Sequence, residues 1–131
     1  DFSYELNSFK VEGELGRGIG TEAPVNKEGL SNKYAQGGIE TNDYVNYRVL
    51  VETAGTYTVT FSYCNGTSTN IDLIVGGESH TLSLSLSTTP WPDCQLTEES
   101  LEVSLVKGYN NITFKALSSW ITLDYMLFSI K

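Results

Sequence analysis

"YVNYRVLVETAGTYTVTFSY", residues 44–63, contains two stretches in which large apolar and polar side chains alternate. "AG" at residues 54 and 55 separates the two stretches. Alternation with a period of two is typical of a strand that buries one face. The pattern therefore predicts two strands joined by a turn.

The same alternation recurs along the rest of the chain. It is found in "NIDLIV" (70–75), "HTLSLSL" (80–86), "ESLEVSLV" (99–106) and "NNITFKAL" (110–117). "KGYN" at residues 107–110 predicts a hairpin turn. Short strands at nearly regular spacing predict an all-β fold, a two-sheet antiparallel β-sandwich or jelly roll, as one domain over residues 1–131.

Residues 15–42 lack this alternation and are rich in Gly and Asn. We expect a long surface excursion here, and long ordered loops in compact domains often carry function.

The charge balance limits the partners. The chain has 131 residues and a net charge of -8, which disfavours nucleic acid and an anionic membrane. The sequence shows neither a membrane-length apolar run nor a signal peptide. We therefore expect a mature or excised fragment of a secreted protein, monomeric in solution.

The sequence offers little for catalysis. His80 is the only histidine and lies in an alternating stretch, and no Ser or Cys has the context of a nucleophile elbow. Glu98 and Glu99 would point to opposite faces of a strand. A small enzyme that pairs Glu22 with Asp93 or Glu98 stays open as an alternative.

Two tryptophans suit a sugar-binding surface instead. Trp91 lies between two prolines in "TTPWPDC", and Trp120 precedes the last predicted strand. Rigid indoles in loops can stack on pyranose rings, although both could equally anchor loops to the core.

Three carboxylates point to a metal. Glu12 and Glu14 stand two apart in "VEGE", so in a strand both would leave the same face. Asp124 lies within the apolar run "WITLDYMLF" (120–128), where an unpaired charge is costly. Hard oxygen ligands suit calcium, so we expect these three to hold a structural Ca²⁺.

The two cysteines, Cys64 and Cys94, have neither metal-knuckle nor redox-pair spacing. A disulfide and two separate buried thiols both remain open.

Several motifs, in order along the chain, resemble the carbohydrate-binding modules of families 6 and 35. "VEGE" resembles their E-A-E opening, and "GIGTE" (18–22) resembles their G-I-Q-x-E segment. The run at 42–63 is similar to their G-D-W-V-x-Y-x-V and A-G-x-Y-x-V motifs. "ESLEVSLVKGYNNITFKA" (99–116) and "ITLDYMLF" (121–128) resemble the strands that close these modules.

The resemblance assigns a calcium site and a sugar cleft. It implies Ca²⁺ ligation by Glu12, Glu14 and Asp124, completed by backbone carbonyls between Ser31 and Lys33. The residues that it implies for the sugar cleft are Glu22, Trp91 and Thr122.

This sequence departs from the family pattern at one wall of the cleft. The second stacking aromatic of the family falls near Gly38, where the chain has none. Trp120, or alternatively Tyr34, would then supply the other wall. Some relatives also bind sugar on the concave sheet face, where Tyr44, Tyr47 and Tyr63 are candidates, although packing is the preferred interpretation for these three.

The resulting hypothesis is a non-catalytic, calcium-stabilised module. It would hold a covalently linked glycoside hydrolase against a polysaccharide or oligosaccharide, with a neutral β-glycan as the preferred ligand. The alternative is a structural spacer that kept the sandwich without a working cleft.

Overall fold

The structure, a computed structural model, describes residues 8–21, 25–26, 30, 34–86, 94–97, 100–118 and 120–131. Most of these residues lie in strands, which pair antiparallel in two sheets. The predicted all-β sandwich is confirmed. In the described part of the chain, no helix has the length and apolar character needed to cross a membrane.

The strands are numbered in chain order, and a 3₁₀ helix, Gly13–Leu15, follows the first of them. They are β1 (Ser8–Glu12), β2 (Arg17–Ile19), β3 (Val25–Asn26), β4 (Tyr34–Ile39), β5 (Tyr44–Val51), β6 (Gly55–Asn65), β7 (Thr69–Val75), β8 (Glu78–Leu84), β9 (Gln95–Leu96), β10 (Leu101–Leu105), β11 (Gly108–Ala116) and β12 (Ile121–Ile130).

Within the described residues, the larger sheet has seven strands and the smaller has five. The larger sheet has the order β10-β6-β12-β4-β3, with β1 also paired to β12 and β9 to β6. The smaller sheet has the order β2-β5-β11-β7-β8.

The core lies between the two sheets. On β6, Tyr57, Val59, Phe61 and Tyr63 alternate toward the interior and are almost fully buried. Phe61 meets Phe114 of the smaller sheet with ring centroids 5.6 Å apart. Each fully buried large apolar side chain contributes about 1.5–3 kcal/mol to stability. Burial of the apolar side chains of the alternating stretches is therefore the main stabilising contribution.

The turn predicted at residues 107–110 is not a hairpin. β10 pairs with β6 in the larger sheet, whereas β11 pairs with β5 and β7 in the smaller one. Asn110 holds this crossover, since its side chain accepts a hydrogen bond from the Val106 amide at 3.0 Å and donates one to the Val106 carbonyl at 2.9 Å. The residues predict a tight turn correctly, but their pattern does not say which sheet follows.

The expectation of a surface excursion over residues 15–42 is wrong for β4. Ala35, Gln36 and Ile39 of this strand are buried, and β4 pairs with β12. Two steps along β12 match three along β4, so the pairing contains a bulge, and Gly38 adopts a φ of 62° there. Small residues and the bulge remove the alternation that marks the other strands.

A second bulge interrupts β12. Leu123 is opposite Tyr63 of β6 and Tyr125 is opposite Ser62, so Asp124 is the additional residue. The 3₁₀ helix packs against this point: a Cβ on Gly13 would lie 2.1 Å from the Leu123 carbonyl oxygen. The close approach of two backbones therefore requires glycine at position 13.

Gly13→Ala should lower the free energy of unfolding by roughly 3 kcal/mol, because the backbone of β12 cannot yield to the added methyl group as a flexible side chain would. Gly55→Ala is the matched control, since its Cβ would meet only the Ile130 side chain at 3.5 Å, and a change below about 1 kcal/mol is expected. Urea unfolding followed by circular dichroism measures both. Equal losses in the two variants would contradict the assigned contact.

Candidate functional site

The acidic residues of the predicted calcium site lie around the bulge of β12. Glu12 ends β1 and is opposite Tyr125, the residue that follows Asp124. Glu14 lies in the 3₁₀ helix rather than in a strand, so the expectation that a strand places Glu12 and Glu14 on one face is wrong. The helix packs closely against the β12 backbone at Gly13.

The carboxylates are shielded from water. Asp124 is only 4% exposed, and the Ser62 hydroxyl donates to its Oδ2 at 3.4 Å. Oε2 of Glu12 and both carboxylate oxygens of Glu14 are also buried. Buried carboxylates need charge compensation or strong hydrogen bonding, and a bound metal ion would supply the charge compensation.

Tyr47 supports the helix that carries Glu14. Its hydroxyl donates to the Gly13 carbonyl at 2.8 Å. Burial, and in addition the negative charge of Glu14, raises the pKa of Tyr47 above its usual value. Tyr47 therefore remains a protonated donor and fixes the first turn after β1.

The described carboxylates have the chemistry that a calcium site needs, but they are too few to form a complete set of ligands. Buried carboxylate oxygens are suitable ligands for Ca²⁺. Nevertheless, within the ranges that the structure describes, no group of three or more His, Cys, Asp or Glu side chains is arranged to hold a metal ion. Ser31 and Lys33, the predicted carbonyl donors, lie outside these ranges. The calcium site stays a prediction.

The predicted sugar-contact residues are only partly described. Glu22 and Trp91 lie outside the described residues, and so does the side chain of Tyr34, whose backbone begins β4. Trp120 is 42% exposed, whereas Thr122 is buried. Of this last pair, therefore, only Trp120 presents a surface to a ligand.

The Trp120 indole lies over Gly66. A Cβ on Gly66 would be 2.8 Å from Nε1 of Trp120 and 2.9 Å from its Cζ2. The ring is thus supported on one side by the backbone after β6, while part of it remains accessible. A supported and accessible indole loses little conformational freedom when a ligand stacks on it.

The tyrosines considered for the sheet face serve mainly in packing. Tyr47 and Tyr63 are buried, and the Tyr63 hydroxyl donates to the Ser85 carbonyl at 2.7 Å. Tyr44 is half-buried on β5. The preferred interpretation of Tyr47 and Tyr63 as packing residues is in agreement with this burial.

The outer face of the smaller sheet carries a polar groove that the sequence analysis missed. Its volume is about 410 Å³. Cα pairing places Arg17 beside Asn46, Asn46 beside Thr113, and Arg48 beside Asn111 across β2, β5 and β11. These residues line the groove together with Tyr47 and Ile112. Part of the signal was available, because Asn46, Arg48, Asn111 and Thr113 are polar members of alternating stretches already assigned as strands.

The groove is partly ordered by its own contacts. Thr113 donates to the Asn46 side-chain carbonyl at 2.7 Å. The Arg48 guanidinium lies 4.0 Å from the centre of the Tyr109 ring, and Tyr109 is 59% exposed. Amide, guanidinium and hydroxyl groups beside an exposed ring are suitable partners for a polyhydroxylated ligand.

The structure of the described residues does not support a catalytic role for the residues considered for an enzyme. Glu22, Asp93 and Glu98 lie outside the described residues. His80 has Nδ1 3.0 Å from the Leu73 carbonyl oxygen and Nε2 3.6 Å from the Glu78 carboxylate. These contacts are those of a histidine on a strand pair rather than of a catalytic base.

Known proteins resemble this chain in sequence and structure. No protein-family model matches it. An exo-beta-D-glucosaminidase from Amycolatopsis orientalis is 32% identical over 117 residues, covering 74% of this chain and 11% of that enzyme. The chain thus spans about a tenth of the length of this relative.

Two solved structures match nearly end to end. A family 35 carbohydrate-binding module from Clostridium thermocellum superposes with a TM-score of 0.80 at 18% identity, covering 95% of this chain and 98% of the module. The C-terminal family 6 module of a marine laminarinase from Zobellia galactanivorans gives 0.71 at 18% identity, covering 94% and 99%. The chain has the β-sandwich fold of the family 6 and family 35 carbohydrate-binding modules.

Proposed function

We propose that the chain is a non-catalytic carbohydrate-binding module that holds a covalently linked glycoside hydrolase against its polysaccharide. The observation that carries this proposal is the match of the whole sandwich to isolated binding modules. The sequence similarity to a tenth of a much longer exo-beta-D-glucosaminidase supports an ancillary place within an enzyme. The module itself performs no bond cleavage.

Two surfaces can contact sugar. The first is the edge that carries Trp120, to which the family resemblance adds Trp91 and Glu22. The second is the groove on the smaller sheet, where Arg48 and Asn111 present hydrogen-bond donors beside Tyr109. A few stacking and hydrogen-bonding contacts to a hydrated sugar give dissociation constants in roughly the micromolar range.

The charge distribution favours a neutral β-glycan as the ligand. A chain with a net charge of -8 repels a polyanion at long range. Arg17 and Arg48 in the groove introduce local positive charge, so a glycan that contains occasional uronate units is the best comparison ligand.

We also propose a structural Ca²⁺ bound by Glu12, Glu14 and Asp124, with carbonyl groups near Ser31 and Lys33. The buried carboxylate oxygens around the β12 bulge support it. When bound, the ion would neutralise these carboxylates. The β1 strand, the 3₁₀ helix and the bulge would then be held at one point.

A structural spacer is the competing function, and one observation favours it. Gly38 lies in the β4 bulge with a φ of 62°, a conformation that is strained for a bulky residue. The backbone conformation at position 38 therefore disfavours an aromatic residue. A cleft with aromatic rings on both sides of the sugar would need its second ring from another position.

Calcium is tested by thermal unfolding. A ligand at 100 to 1,000 times its dissociation constant contributes about 3–4 kcal/mol, so a chelator should lower the Tm by roughly 10 °C, and added Ca²⁺ should restore it. Asp124→Asn should lose most of this response. Glu102→Gln, at an exposed ion pair with Lys131, should keep it. A chelator response of wild type no larger than that of Asp124→Asn would contradict the site.

Sugar binding is tested by affinity electrophoresis on β-glucan, xylan, mannan, galactan and a uronate-containing polymer. If the edge that carries Trp120 binds the glycan, Trp91→Ala or Trp120→Ala should abolish retardation of the protein in the gel. If the groove binds the glycan, Arg48→Ala should abolish it. Val106→Ala, at a residue 60% exposed on the sheet crossover, is the control and should bind normally. Lack of retardation on every glycan would favour the spacer, and release of reducing sugar would favour an enzyme.

A further inference from the structure

The two cysteines face each other across a strand pair. Ser62 is opposite Leu96 and Tyr63 is opposite Gln95 in the pairing of β6 with β9. One further step along this antiparallel register places Cys64 opposite Cys94. The Cys64 thiol donates to the Cys94 sulfur, with the two sulfur atoms 2.9 Å apart and no disulfide between them.

This placement brings the two sulfur atoms close to the separation of a covalent bridge. Directly opposed residues in an antiparallel pair have Cα atoms about 4.5–5.5 Å apart, within the range of about 4.4–6.8 Å found for disulfides. A bond of about 2.05 Å requires the sulfurs to approach by only about 0.9 Å more. We propose that Cys64 and Cys94 form an intrachain disulfide in the mature protein.

The bond forms by exchange with an external disulfide. A thiolate of one cysteine attacks the oxidant, which is glutathione disulfide or a dithiol oxidoreductase in its disulfide form, and one thiol leaves. The second cysteine then displaces the other thiol. Overall the chain loses two protons and two electrons as its S–S bond forms, and the oxidant takes them up as its own S–S bond breaks and becomes two thiols.

The bridge closes a large excursion of the chain. Cys64 and Cys94 are 30 positions apart. Between them the chain leaves the larger sheet, forms the β7–β8 hairpin of the smaller sheet, and returns at β9. The bond therefore ties the point of departure to the point of return.

β9, which follows Cys94, is a short strand. It contains two residues. Two hydrogen bonds extend its pairing with β6: the Thr97 amide donates to the Phe61 carbonyl at 2.9 Å, and the Phe61 amide donates to the Thr97 hydroxyl at 3.2 Å. A covalent bond at Cys94 would add a fixed point directly before this short strand. Closing a loop of this length chiefly restricts the unfolded chain.

The direct test is the thiol state of the purified chain. After incubation with glutathione disulfide, the chain is denatured and treated with iodoacetamide, with and without prior dithiothreitol. We expect no alkylation before reduction, two alkylated cysteines after it, and a monomer on a non-reducing gel. Alkylation of both cysteines without reduction, or a disulfide-linked dimer, would overturn the proposal.

A second measurement separates the bond from ordinary thiol packing. The wild-type chain refolded in dithiothreitol should melt roughly 10 °C below the oxidised chain. The Cys64→Ser/Cys94→Ser variant should melt at the same temperature with and without dithiothreitol. An equal Tm for oxidised and reduced wild type would overturn the proposal even if the double variant does not fold.

Discussion

The bulge at Asp124 in β12 is the constraint around which the larger sheet is arranged. β12 pairs with β6 along its whole length, while β4 and β1 share its other edge. The transition between these two neighbours occurs at the bulge, where Gly13 contacts the β12 backbone. β12 thus pairs with three strands. Its additional residue, Asp124, places a carboxylate at a position where an apolar side chain would otherwise lie.

A buried carboxylate at this position has an energetic consequence for the module. Removing a charge from water costs several kcal/mol unless a cation or hydrogen-bond donors compensate it. The hydroxyl of Ser62 supplies one donor to Asp124, and the nearby buried oxygens of Glu12 and Glu14 add negative charge to the same region. The junction of the first and last strands therefore holds a group of buried negative charges, which the proposed Ca²⁺ would neutralise.

Alternation in the sequence predicts the strands that bury one face, such as β5, β6 and β11, because a period of two is itself the cause of their packing. It does not predict β4, where Gly37 and Gly38 lie in a bulge and interrupt the alternation of large apolar side chains. Nor does it separate a hairpin from the crossover at Asn110, since both need the same turn chemistry. Asp124 can be singled out from the sequence because a charge in an apolar run is conspicuous, and Glu12 and Glu14 because they stand two residues apart. The groove was not found, because Asn46 and Thr113 resemble ordinary solvent-facing residues until the register makes them neighbours.

The pairing of β1 with β12 also determines where the chain enters and leaves the sandwich. Ser8 is opposite Ser129, and their hydroxyl oxygens are 3.3 Å apart. Polypeptide attached at both points would depart from a single pole. The module could then be inserted as an appendage into a loop of a host domain, or be circularly permuted through a short bridge, without disturbing the opposite pole.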